Sequence, residues 1–143
     1  MQRLRSRTQF QAVMAGTPVA KTPHFALHRA ALDALGSDGR ALFPAADAWL
    51  GVVLPKRWAR RAVTRNTIRR QIYELARSRE AALPRAALVV RLRSEFSRKQ
   101  FVSATSDALK RVVRAELGQL LDRAGVSAPA VLSLSPAGGA DVG

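Results

Sequence analysis

The stretch that most constrains the fold lies between residues 48 and 92. Ala48 to Leu54 reads Ala-Trp-Leu-Gly-Val-Val-Leu, a nearly unbroken apolar run closed by Pro55. Such a run, without polar alternation, predicts a central strand covered on both faces. From about Ala62 the period changes. Ile68, Ile72 and Leu75 fall at i, i+4 and i+7, the buried stripe of a helix. Pro84 ends that region, and Ala86 to Leu92 (Ala-Ala-Leu-Val-Val-Arg-Leu) is a second apolar run of strand length. Strand, helix, strand makes a β-α-β unit, with the strands of Trp49 and Val90 as parallel neighbours. This context argues against a helix-turn-helix DNA reader.

The joint between the first of these strands and the helix carries the charge. Seven of the fifteen residues from Lys56 to Arg70 are cationic: Lys56, Arg57, Arg60, Arg61, Arg65, Arg69 and Arg70. No acid falls between Asp47 and Glu74. Six of the seven are Arg, whose planar guanidinium grips a phosphate through two parallel hydrogen bonds. Asn66 sits among them and can both donate and accept. At about 100° per residue, Asn66, Arg69, Arg70, Tyr73 and Arg77 point away from the Ile68 stripe, and Arg65 lies on its border. The helix start adds free N–H groups and partial positive charge. Cations this close repel one another, a cost that makes little sense without an anion. The whole chain agrees, with a formal charge of +14 over 143 residues and a pI near 11.8. Such a balance predicts nucleic acid as the partner before an anionic membrane surface. No apolar run approaches bilayer-spanning length, and no h-region follows the basic N-terminus. The Arg-rich, acid-poor first helix leaves a mitochondrial-type presequence as the lesser reading; the expected location is the cytoplasm, with no membrane partner. The absence of cysteine excludes disulfide staples, Cys-based zinc sites and thiol catalysis.

The flanking segments predict supporting elements of one domain, residues 1–125. Residues 6–16 read as a short amphipathic helix. Ser6 and Gln9 fit a capping box, Phe10, Val13 and Met14 form a stripe that packs on the body of the domain, and Gly16 and Pro18 stop it. His24 to Leu32 predicts a strand with Phe25, Leu27 and Arg29 on one face. Residues 33–46, with Gly36, Gly39 and Pro44, read as a loop. Ser97 and Gln100 form a second capping box opening a long helix, with Phe96 and Phe101 as its staple. Its apolar face is Phe101, Ala108, Leu109, Val112, Leu117, Leu120 and Leu121, and Gly125 is its stop. Residues 126–143, rich in Ala, Ser, Pro and Gly without period, predict a disordered tail.

No protein active site is legible. There is no Walker loop, dinucleotide fingerprint or nucleophile elbow. The ten carboxylates are scattered, whereas a two-metal nuclease clusters them. His24 and His28 would share one face of a strand, but no third ligand stands near to complete a metal site. The expected role is that of a partner in RNA chemistry, with no catalytic residue and no metal of its own.

The compound motif Lys56-Arg57-x-x-Arg60-Arg61-Ala62-x-x-Arg65-Asn66-x-Ile68-Arg69-Arg70 resembles the signature of the bacterial ribonuclease P protein subunit. In that family a strand ends in a basic pair and, after a short loop, a helix opens with Arg-Asn-Arg followed by a further basic pair. Arg3-Leu4 followed by Phe10 resembles the family's N-terminal segment, and the element order is similar over roughly residues 3–121. The resemblance implies an α+β fold: a small two-layer α/β sandwich, a mixed sheet of three to four strands with a β-α-β crossover, and packed helices. It implies a protein that binds a catalytic RNA subunit and precursor tRNA, with no DNA partner. The RNA and its Mg²⁺ ions would carry out the endonucleolytic removal of the 5′ leader. Carried over, Lys56, Arg57, Arg60, Arg61, Arg65, Asn66, Arg69 and Arg70 would form the RNA-binding surface. Phe10 and Phe25 match aromatic positions of a leader-binding cleft between the first helix and the sheet, and His28 stands where the family often has an aromatic. Stacking of bases on rings is the physical reason for such a cleft. Thr67 departs from the pattern by replacing the second Arg of Arg-Asn-Arg. Arg85-Ala86-Ala87 departs where the family commonly has an acid. The competing reading is a generic basic RNA-binding or ribosomal protein without nuclease association.

Overall fold

The computed structural model describes residues 1–96 and 107–128. Its elements run β1 (Gln2–Arg3), α1 (Arg7–Met14), β2 (Ala20–Lys21), β3 (Phe25–Ala30), β4 (Trp49–Val53), α2 (Ala62–Ser78), β5 (Ala87–Leu92) and α3 (Asp107–Arg123). A 3-10 turn over Glu80–Ala82 follows α2. The strands form one mixed sheet in the order β1-β4-β5-β3-β2. The apolar runs pair as expected: β4 lies parallel to β5 from Trp49↔Ala87 to Val53↔Arg91. β3 runs antiparallel to β5 on its other side, from Phe25↔Leu92 to Ala30↔Ala87. The sheet has five strands rather than three or four. The two extra are two-residue edges, β1 parallel to β4 and β2 antiparallel to β3, too short to carry a period in sequence.

Strand alternation divides the side chains between two faces. Phe25, Leu27, Leu50, Val52, Leu88, Val90 and Leu92 pack against Ile68, Ile72 and Leu75 of α2 and Leu109, Val113, Leu117 and Leu120 of α3. Trp49, Ala87 and Val89 face the other way, against Leu4, Val13 and Phe43. That second face is covered by α1 and part of the 31–47 loop, a partial third layer beside the expected two. Local rules set α1: the Gln9 N–H donates to Ser6 Oγ at 3.2 Å and Gln9 Oε1 accepts from the Ser6 N–H at 3.1 Å. Gln9 Nε2 also donates to the Leu42 carbonyl at 2.7 Å, tying the loop to α1.

Helix α3 departs from its expected face. Val113 is buried and Val112 is 41 % exposed, so the stripe is Leu109, Val113, Glu116, Leu117, Leu120 and Leu121. Counting Glu116 as polar shifts the apparent stripe in sequence. In the fold its carboxylate is buried and satisfied. Oε2 accepts from Thr22 Oγ1 and from the His24 N–H, both at 2.6 Å, and Oε1 lies 2.7 Å from His24 Nδ1. The His24 ring stacks on Phe96 with centroids 3.9 Å apart. The expected helix start at Ser97 and the Phe101 half of the staple lie outside the described residues. At the other end Gly125 takes φ +84°, which stops α3, and the Val126 N–H donates to the Leu121 carbonyl at 2.8 Å. Val126 is buried, so the folded unit runs past the expected boundary at 125. The tail from 129 on lies outside the described residues.

Candidate nucleic-acid interface

β4 ends at Val53, and the segment from Lys56 to Arg61 crosses to the start of α2. Lys56, Arg57, Arg60, Arg61, Asn66 and Arg70 are exposed, and Arg65 and Arg69 are half-buried. All eight expected residues therefore lie on one segment, the loop and the first turns of α2. Arg65 does more than add charge. Its Nη1 donates to the Ala59 and Arg60 carbonyls, both at 2.9 Å, and so fastens the basic loop to the helix. Arg69 Nη1 donates to Asn66 Oδ1 at 3.2 Å. Arg57 lies over the Trp58 ring at 5.1 Å from its centroid. Among the described residues none of the seven cations forms an ion pair with an acid. Arg61 stands at the N-cap of α2 and makes no side-chain cap bond, and the first turn of the helix carries no acid. The surface is thus left positive by every local device available to neutralise it.

One residue lies elsewhere than the helical period predicts. Tyr73 is buried rather than on the basic front. The reason is β1: it adds to β4 beside α2 and lays the Arg3 guanidinium 3.9 Å from the Tyr73 ring centroid. Burial pushes the Tyr73 phenol up, and the charges of Arg3 and Arg69 pull it down. Arg3 thereby joins the edge of the basic surface. Sequence reasoning misses it because its partner strand comes more than forty residues later.

The aromatic residues expected in one cleft do not come together. Phe25 is fully buried on the α2 and α3 side, tilted against Phe96 at 5.9 Å. Phe10 and His28 lie on the opposite, α1 side. Phe10 is half-buried over Gly51, where an added Cβ would stand 2.5 Å from Phe10 Cε1. His28 is 4 % exposed and pairs in register with Val89. Arg91 Nε donates to its Nε2 at 3.2 Å. Burial, and then the Arg91 charge, hold the His28 imidazole below its ordinary pKa, with the nearby Gly16 backbone working the other way. Its Nδ1 is buried and makes no hydrogen bond of normal geometry. His24 and His28 also separate, because His24 precedes β3 and turns to Glu116 of α3.

Comparison with known proteins decides the family. The family described as Ribonuclease P matches residues 1–124. A ribonuclease P protein component of Ralstonia pickettii is 37 % identical over 120 residues, covering 84 % of this chain and 76 % of that protein. One from Bordetella parapertussis is 39 % identical over 115 residues, covering 80 % and 85 %. The chain belongs to the ribonuclease P protein family. The fold agrees with solved ribonuclease P proteins. That of Staphylococcus aureus gives a TM-score of 0.61 at 19 % identity, covering 88 % of this chain and 97 % of that one. That of Thermotoga maritima gives 0.60 at 22 %, covering 86 % and 97 %.

Against the ribonuclease P signature, Thr67 now has a structural description. It is buried, and its hydroxyl donates to the Val63 carbonyl one turn back at 2.9 Å. In this chain the side chain at 67 turns inward, away from the exposed row of Asn66 and Arg70. Among the described residues no three of His, Asp and Glu come together as a metal-binding group, and no helix is long and apolar enough to cross a membrane.

Proposed function

We propose that this chain is the protein subunit of a ribonuclease P ribonucleoprotein, binding its catalytic RNA through the surface from Lys56 to Arg70. The leader of precursor tRNA lies on the α1 side of the sheet, over Phe10. The RNA partner holds the Mg²⁺ ions and performs the hydrolysis that yields the mature 5′ end, in the cytoplasm. The protein contributes by holding two RNAs in register. The observation that carries this reading is the segment of seven unpaired cations, fastened in place by Arg65 in a chain of this family. If about six phosphates are neutralised, log affinity for the catalytic RNA falls with log salt at a slope of roughly −4 to −5.

The test is cleavage of a precursor tRNA at low Mg²⁺, with the catalytic RNA alone and with this protein added. Strong stimulation at the 5′ maturation site is expected. RNA binding without stimulation would favour a generic RNA-binding protein, and a flat salt dependence would remove the electrostatic argument.

A further inference from the structure

The α1 side of the sheet holds a charge that its surroundings do not explain. Along β5, Ala87 and Val89 face α1, and strand alternation and the bond to His28 put Arg91 on the same side. The first two are fully buried, and Arg91 is half-buried. Desolvating a guanidinium without a counter-charge is costly, so even a half-buried Arg gains from an anion beside it. Among the described residues no carboxylate forms an ion pair with Arg91. Its side-chain partner is the imidazole of His28, which receives the Arg91 Nε–H at 3.2 Å. That bond uses Nε2 as an acceptor, so the ring is neutral, with its proton on Nδ1. A neutral partner fixes the direction of the guanidinium without cancelling its charge. One edge of Arg91 is held, and its terminal amino groups keep the fork that suits an oxyanion.

The position matters as much as the charge. Val89 stands opposite Gly51, the residue under the Phe10 ring, and Arg91 stands opposite Val53, two residues further along β4. Strand rise and strand spacing put Arg91 and Gly51 roughly 8 Å apart. One extended nucleotide covers such a span, with a base on the ring and a neighbouring phosphate on the guanidinium.

We propose that Arg91, aimed by His28, grips a backbone phosphate of the single-stranded leader next to the base that stacks on Phe10. Arg91 is the contact and His28 is a positioning residue. The inference rests on the α1 side being the leader surface.

The experiment uses reconstituted holoenzyme and measures affinity for precursor tRNA with a leader, without one, and with a single neutral methylphosphonate linkage moved along the leader. Wild-type holoenzyme loses about 10-fold in affinity at one linkage, the scale of one charge-assisted hydrogen bond. Arg91→Gln loses about the same for the unmodified leader, leaves the leaderless substrate unaffected, and becomes insensitive to that linkage. His28→Ala weakens the same sensitivity and adds nothing to Arg91→Gln. Equal loss for both substrates, or full linkage sensitivity in Arg91→Gln, overturns the contact. Additive loss in the double variant removes His28 from it. Should Arg91→Gln fail to fold, the linkage scan in wild type still decides, since no sensitive linkage means no gripped phosphate. If wild-type holoenzyme binds leader and leaderless substrates alike, the leader surface itself fails. If it discriminates and Arg91→Gln does too, the Arg91 contact alone fails.

Discussion

On the α2 and α3 side of the sheet, Phe25, Leu27, Leu88 and Leu92 are closed off from water, and Glu116 binds α3 to the turn before β3. On the α1 side the same strands present Gly51, Val53, His28 and Arg91 beneath an eight-residue helix, and Phe10 keeps part of its ring open. One face is closed, and the other leaves Phe10, Val53 and Arg91 partly exposed. A strand's alternation assigns residues to the two faces but does not say which will be covered. That depends on the length of the helix that lands there.

The largest test of this contrast is Phe25→Ala. Its ring fills the closed core, so truncation costs about 3–5 kcal/mol in chemical denaturation. Cleavage of leader and leaderless precursors should fall together. A loss confined to leader-bearing substrates would return Phe25 to the cleft. Next is Glu116→Ala, which leaves the Thr22 hydroxyl and the His24 N–H without their acceptor and costs about 2–3 kcal/mol. A change below half a kcal/mol would mean that the clip between α3 and the sheet is ornamental.

On the open face the expected effects are smaller and more selective. Gly51→Ala puts a methyl into the Phe10 ring, costing about 1–3 kcal/mol and weakening leader-bearing substrates by displacing the ring. Combined with Phe10→Ala the cost should be clearly less than additive, which a double-mutant cycle measures. Additive losses would show that Gly51 and Phe10 act separately. The smallest effect concerns His28. Its pKa in the fold lies below the unfolded value of 6.5, so the unfolded chain binds more protons between the two. Stability should therefore fall as pH drops below about 6.5, until the folded pKa is reached. Melting curves of wild type and His28→Phe should diverge in that window, and parallel curves would show that His28 does not titrate differently on folding.

Much of this arrangement was legible in the chain. The β4-α2-β5 unit follows from two apolar runs and a helical stripe, and the Ser6–Gln9 box from a local rule. The cations from Lys56 to Arg70 needed no fold, because contiguous residues stay together. What was hidden depends on distant partners. Tyr73 is buried because β1 docks beside α2, and Phe25 separates from Phe10 because α1 crosses the face opposite α2. Val112 and Val113 exchange roles because a buried Glu116 interrupts the apolar count. Arg65 read as an RNA contact, and its bonds to Ala59 and Arg60 show that it also shapes the loop.

The strand order sets a sequence of events during synthesis. β5 lies between β4 and β3, yet of the described strands it is the last to leave the ribosome. Until residues 87–92 emerge, β3 can fold back only onto β2, and β4 only onto β1. At about 5–20 residues per second the basic segment precedes β5 by a few seconds. During that interval the nascent chain is a cationic polymer without its central strand, next to the most abundant RNA in the cell. Fast folding once β5 appears would limit the time in which the wrong RNA can hold it.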